Sequence, residues 1–270
     1  METVLVVGAS GNIGISTILA ARNTGRNVMA VVRNAAAQDK IVRHVGSRDG
    51  ITFVQADVTQ ADGLKRVLEQ VKTGRLPDFQ HVYAAGECRV TAAMACGLTR
   101  DAIVGTLNCE KVSTMDIETF HQVMRLSCEA NIYAYNATFQ YLIEQGKPNS
   151  TWTIITGGLG DLGIGGAVSI AQGALFAFAG VGAYECMRTN VRFNEVYLAL
   201  QVAVDDVAVK NKLVKASRFA QVYERILDRK DLKSARVYVE NERDIDHLRF
   251  EKKLPDSPLV KMALDGDLHL

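Results

Sequence analysis

The sequence has no excess of charge of either sign. Lys and Arg number 31 against 30 Asp and Glu, a formal net charge of +1 over 270 residues, so no global field draws in nucleic acid or an anionic membrane surface. Neither is expected as a partner. Cysteine is sparse: Cys88, Cys96, Cys109, Cys128 and Cys186 are odd in number and show no close paired spacing. A chain of this length does not need disulfide staples, and the five are read as free thiols. Only four prolines occur, and Pro255 and Pro258 lie in a polar stretch without strong periodicity. Residues 241–270 are therefore expected to form a terminal arm after a domain spanning 1–240. No run of about 18 uninterrupted apolar residues is present. A strand pattern opens at residue 3 with no basic leader before it, so a soluble, cytoplasmic protein is expected. His44, His81, His121, His247 and His269 are dispersed, without helical pairing or a cysteine partner, and no metal site is expected.

What the sequence has is alternation. Short apolar runs at 3–7, 28–32, 51–55, 79–84, 151–156, 191–198 and 235–239 are separated by amphipathic stretches near 12–24, 61–73, 117–145, 165–188 and 206–229. That pattern predicts one α/β domain, a Rossmann-type doubly wound parallel sheet of about seven strands with helices on both faces. The Gly- and Ala-rich stretch 165–185 is a poor isolated helix, because each glycine costs about 1 kcal/mol relative to alanine. Close packing, inside the domain or across a homo-oligomer, accounts for it better than a membrane does.

GASGNIG, residues 8–14, follows the first predicted strand and opens the first helix. Gly8 suits a tight turn, Gly11 leaves room for backbone to approach a phosphate, and Gly14 allows close helix packing, while the helix N-terminus favours negative charge. Ser10, Asn12 and Ile13 complete the loop. The second strand ends in Arg33 and Asn34, where a protein selective for NAD commonly carries an acid, and a cation there suits the 2′-phosphate of NADP(H). Asp57 and Val58 end the third strand, the carboxylate placed to accept from the adenine amine or, alternatively, to cap a turn. Ala84, Ala85 and Gly86 end the fourth and leave space beside a ribose. Cys88, next to this cleft, is a candidate nucleophile or simply a small buried hydrophobe.

Over residues 3–240 these motifs resemble the short-chain dehydrogenase/reductase family: GASGNIG its glycine motif, ADVT its adenine-contacting turn, AAGE its N-N-A-G turn and VRFNEV its sixth strand. The first 34 residues, ending in VRN, are also similar to the NmrA-like atypical branch. The resemblance implies NADP(H) binding and a two-fold dimer or tetramer. It also implies a Tyr, Lys, Ser and Asn set that protonates a developing alkoxide. In the expected register those positions read Val168, Gln172, Gly157 and Ser127, and residues 157–180 contain neither Tyr nor Lys. Tyr184 and Arg188 have the right spacing but lie too far along the helix.

Other groups must then handle protons. The candidates are Asp161 in the loop after the fifth strand and Arg125 on the fourth helix, with Thr156 and Ser127 as hydroxyl donors and Glu87 as a weaker acid. Arg125 and Ser127, two apart on a helix, are not both expected to face the cleft. The simpler alternatives are a loop-capping Asp161 and a solvated Arg125. An Arg and Asp pair without the usual tetrad is similar to fungal indole-alkaloid Diels-Alderases of the same family, which combine iminium reduction with control of a cycloaddition. The leading expectation is an atypical NADP(H)-dependent enzyme of small-molecule, including secondary, metabolism. It would reduce an activated C=N, C=C or C=O bond, or act as a cyclase or isomerase with bound cofactor. The alternatives are a non-catalytic NADP(H) sensor or scaffold and a cofactor-free isomerase. The arm after residue 240 or the segment 87–116 is expected to cover the cleft.

Overall fold

The computed structural model describes residues 1–85 and 110–266, so the expectations for Gly86, Glu87, Cys88, Cys96, Cys109 and His269 lie outside it. The first half runs β1 (Thr3–Val7), α1 (Asn12–Asn23), β2 (Asn27–Val32), α2 (Ala35–Val45), β3 (Ile51–Gln55), α3 (Gly63–Lys72) and β4 (His81–Ala84). The second half begins with α4 (Ile117–Met124), a π-turn at Arg125–Glu129, α5 (Ala130–Glu144), β5 (Ser150–Gly157), α6 (Leu159–Leu162), α7 (Ala167–Glu185) and β6 (Val191–Leu198). It continues through β7 (Val202–Ala203), α8 (Asp205–Asn211), β8 (Val214–Lys215), α9 (Ala216–Asp228), β9 (Ala235–Val239), α10 (Glu242–His247), β10 (Phe250–Lys252) and α11 (Pro258–Asp265).

One sheet holds eight strands in the order β10-β9-β6-β5-β4-β1-β2-β3. Seven are parallel, and β10 is antiparallel to β9. The order reverses between β1 and β4, the crevice at which such sheets bind ligands beyond the strands' carboxyl ends. Buried strands carry near-continuous apolar runs, and each face of the sheet has its own core. Ile15, Ile18, Phe219 and Ile226 of α1 and α9 fill one. Leu64, Leu142, Leu175 and Trp152 fill the other beneath α3, α5 and α7.

Four differences from the sequence reading have physical causes. The sheet has eight strands rather than about seven, because β10 joins β9 by antiparallel backbone pairing while its three residues are all exposed and carry no apolar alternation to announce a strand. The stretch 117–145 is two helices divided by the π-turn, and Asn131 Nδ2 from the first turn of α5 donates back to the Ser127 carbonyl within it. The stretch 206–229 is α8, β8 and α9, because Lys212 takes a left-handed φ of 55° and ends α8. Helix α2 escaped the periodicity because Ile41 is its one buried residue. Among the described helices α7 is long and apolar enough, by length and composition, to cross a membrane. Its stripe Ala171, Leu175, Ala179 and Ala183 is instead built into the core under Phe193.

Candidate functional site

At the ends of β1, β2 and β3 the loop GASGNIG folds as the spacing requires. Gly8 has φ +78°, a side chain on it would overlap the Ala85 carbonyl, and one on Gly14 would overlap the Gly8 carbonyl. Gly11 N donates to Gly8 O at 3.1 Å, and Gly11 serves as the N-cap of α1. The turn is therefore drawn against the end of β4, with the first N–H groups of α1 left for an anion. Beside it opens a cleft lined by Gly8, Ser10, Arg33, Ala56, Val58, Thr59 and Asn131. The residues fit a dinucleotide: a glycine cradle that no side chain could share, an exposed cation at the end of β2, and small residues Ala84 and Ala85 at the end of β4.

Other expected contacts already have partners. The Asn34 side chain accepts from Ala37 N and caps α2. Asp57 accepts from Thr59 N and from Thr59 Oγ1 at 2.6 Å. The Thr59 hydroxyl, with the Arg33 charge adding to it, holds this carboxyl below the usual carboxylate range. Asn12 Oδ1 accepts from Val204 N at 3.4 Å, tying the loop to the start of α8. Ile13 packs on the core.

Beyond the carboxyl ends of β5 and β6 a second, buried polar cluster is assembled from β5, β6, β9 and the terminal arm. Glu195, fully buried on β6, accepts from Thr156 Oγ1 at 2.8 Å and from both Nε and Nη2 of Arg236, and Lys253 Nζ lies 2.7 Å from it. Burial pulls Lys253 below its ordinary pKa against the pull of Glu195. For Arg236 the hydrogen bonds and charge of Glu195 outweigh burial and hold it above its own. The Arg236 guanidinium lies over Phe176 and Tyr197, 4.8 Å and 5.4 Å from the ring centroids. Burial first, then a hydrogen-bonding contact with Asp161 and its charge, push the Tyr197 hydroxyl up to about 12.

Of the four candidate catalytic residues, Asp161 is exposed on α6, where its charge acts on the Tyr197 hydroxyl, and the buried Thr156 donates to Glu195. No hydrogen bond or ion pair joins Arg125 to Asp161 among the described residues. Arg125 is exposed, and its charge acts on the Tyr133 hydroxyl. Ser127 is 3% exposed and faces inward with a hydroxyl that has no partner. Gln172 accepts from Gly157 N at 2.7 Å, closing the end of β5 onto α7. An open groove of about 550 Å³ lies beside this loop, lined by Gly160, Gly163, Ile164 and Ile170 together with Glu110 to Val112. Sequence reasoning missed Glu195, Tyr197, Arg236 and Lys253. The available signal for Glu195 and Arg236 was charge inside strands rich in apolar residues, VRFNEVYL with Arg192 and Glu195 and ARVYV with Arg236.

A protein from Pestalotiopsis fici described as short-chain dehydrogenase/reductase iacG is 44% identical over 262 residues, 95% of this chain and 98% of that one. The chain belongs to the short-chain dehydrogenase/reductase family. Residues 1–133 also match the NmrA-like family. The family implies a nicotinamide dinucleotide cofactor and oxidoreductase chemistry. Solved structures agree in fold. A short-chain type dehydrogenase/reductase from Mycobacterium ulcerans superposes with a TM-score of 0.70 at 16% identity, covering 93% of this chain and 92% of that one. A short-chain dehydrogenase from Shigella flexneri 2a strain 301, complexed with NADP, gives 0.65 at 16% identity over 84% and 90%.

Proposed function

We propose that the protein is an NADPH-dependent reductase of small-molecule metabolism, including secondary metabolism, acting on an activated C=N, C=C or C=O bond or turning over a cyclisation or isomerisation with the cofactor in place. The observation that carries this reading is the open groove of about 550 Å³ next to the β5–α6 loop, large enough for a small organic molecule and lined by Ile164, Ile170 and Val112. When bound, the nicotinamide supplies the hydride. The chain's own residues hold the pyrophosphate at the Gly8–Gly14 loop, offer Arg33 to the 2′-phosphate, and carry candidate protonating groups, Asp161 among them on the short helix between Gly160 and Gly163 that borders the groove. A substrate already cationic, such as an iminium, needs the least help from them. Asp161 is the first of these groups. Asp161→Asn should lower turnover about 10²-fold or more while leaving fold and cofactor affinity in place.

The test is calorimetric titration with NADPH and NADH, followed by absorbance assays of NADPH consumption against a panel of quinones, enones and cyclic imines. NADPH should bind more tightly, by a charge-assisted contact of roughly 1.5–3 kcal/mol that Arg33→Ala removes. Equal affinities of the wild type for the two cofactors would overturn the NADPH assignment. Tight NADPH binding with no turnover of any panel member would favour a sensor or scaffold. We further propose a cytoplasmic homo-oligomer built on α5 and α7, whose outer faces expose Ile132, Val181 and Tyr184. Light scattering that shows only monomer at tens of micromolar would count against it.

A further inference from the structure

We infer that Asn131 selects adenine in the dinucleotide cleft, its side-chain oxygen accepting a hydrogen bond from the exocyclic amine of the base. This rests on the reading of the chain as an NADP(H) reductase and adds a contact from α5 to a site otherwise assembled at the ends of β1, β2 and β3. The ligand class is a purine that carries an amino group, in preference to one with an oxo group on the same carbon.

The placement follows from the π-turn at Arg125–Glu129, in which Ala130 N donates to the Arg125 carbonyl five residues back. Positions four apart share a face of an α-helix, which brings Ala130 over Leu126. The wider pairing of a π-turn brings position 131 over Leu126 as well, where an uninterrupted α-helix would have turned it off that face. Leu126, Ala130 and Asn131 accordingly all line the cleft, opposite Val31, Ala56 and Val58 from β2 and the end of β3. Five of these six side chains are apolar and suit the faces of a planar base. Asn131 is the polar exception, and π-turns recur where a helix carries function.

The amide's own bonds decide what it can offer. Asn131 is 2% exposed, and its Nδ2 donates to the Ser127 carbonyl at 2.9 Å. That bond fixes which way the amide points, because the reversed amide would set oxygen against oxygen. Oδ1 is the end left over, and it has no hydrogen-bond partner among the described residues. A buried acceptor without a donor is a cost that a ligand's N–H removes. Ser127 Oγ is a second buried orphan in the same turn, but Ser127 is not among the residues lining the cleft. The carboxylate expected to meet the amine, Asp57, already accepts from Thr59 N and Thr59 Oγ1 within its own turn. An aromatic amine has N–H to give and matches a fixed acceptor. A 6-oxo purine would bring a second acceptor to the Asn131 oxygen, with no proton between them.

The experiment is calorimetric titration of the full chain with NADPH and with its hypoxanthine analogue, which has an oxo group in place of the amine. Both carry the 2′-phosphate, so the contribution of Arg33 cancels in the ratio of the two affinities. The wild type should bind NADPH about tenfold more tightly than the analogue. Asn131→Leu should bring that ratio close to unity, chiefly by weakening NADPH, whereas Asn131→Asp, which keeps an acceptor in place, should retain it. Should the leucine variant fail to fold, Asn131→Ala is measured instead. A merely structural asparagine would weaken both cofactors alike and leave the ratio where it was. Equal affinities of the wild type for the two cofactors, an unchanged ratio in Asn131→Leu, or a ratio lost in Asp57→Ala instead would overturn the assignment, with NADPH binding itself leaving the reductase reading in place. If neither cofactor binds, the reductase reading falls first and this assignment with it.

Discussion

Two regions of the molecule are built by opposite strategies. The glycine loop, the candidate adenosine end, is local: Gly8, Gly11 and Gly14 lie within one turn, and Gly8 and Gly14 have no room for a side chain. The polar cluster, the candidate reaction end, is non-local: Thr156, Asp161, Glu195, Tyr197, Arg236 and Lys253 come from β5, α6, β6, β9 and the arm, and their positions are set by charge and burial. A backbone cradle tolerates change in everything around it. A buried charge cluster tolerates change in none of its members, because each carries a desolvation penalty that only the others offset.

The comparison breaks hardest at Glu195. Glu195→Ala would leave Arg236 and Lys253, 16% and 11% exposed, facing each other without their shared carboxylate. Breaking a buried ion pair from one side costs about 3–5 kcal/mol, and chemical denaturation should show a loss of that size. A loss under about 1 kcal/mol would mean that the cluster behaves like an exposed ion pair, and the contrast between the two ends would disappear. Lys253→Met, which keeps the length of the side chain and removes the surplus cation, should cost much less.

A second buried group titrates away from both ends and serves as a control. His81, at the start of β4, is 2% exposed, with Thr151 Oγ1 at 2.9 Å and Glu2 Oε2 at 3.3 Å from its ring nitrogens. Burial, opposed by the Glu2 charge, lowers its pKa from 6.5 to about 4. The unfolded chain therefore binds the proton more readily than the folded one between these values. Stability is fully present above about pH 6.5 and is lost as pH falls towards 4, by about 3 kcal/mol for this group. Unfolding midpoints measured across that window should decline in the wild type and flatten in His81→Phe. An equal decline in both would place the acid sensitivity elsewhere, with the reaction-end cluster the first candidate.

The legibility of the molecule follows the same division. The strands 3–7, 51–55, 191–198 and 235–239 and the phosphate loop were readable because their signals are contiguous: apolar runs and glycines at fixed offsets. Asp161 is legible from its place after the fifth strand, but whether it meets Arg125 is a question of distance that helix periodicity cannot answer. Its contact, Tyr197, lies 36 positions on, at the end of a strand whose inward Glu195 pairs directly with Arg236 across the register. The order of strands in the sheet decides that meeting, and no local pattern encodes it. Lys253 was unreadable for a further reason, since β10 is placed by backbone pairing with β9 and has no apolar alternation.

The smallest effect sharpens the comparison from inside the legible half. Asn34 sits beside Arg33 at the end of β2 and was read as a cofactor residue, yet its side-chain oxygen accepts from Ala37 N at 3.0 Å and caps α2. Replacing a helix-capping asparagine with alanine costs about 1 kcal/mol. Because α2 buries only Ile41, little tertiary packing shields it from that loss. Asn34→Ala should therefore lower stability by that amount and, once the protein is folded, leave the preference for NADPH over NADH where Arg33 sets it. Arg33→Ala should do the reverse, removing the preference with almost no change in stability, since the side chain is exposed. Calorimetry and denaturation on the two single variants and the double variant separate the roles. If Asn34→Ala weakened NADPH and NADH equally without destabilising the fold, its carbonyl would be a ribose contact that the cap only borrows, and the adenosine end would depend on side chains more than its glycines suggest.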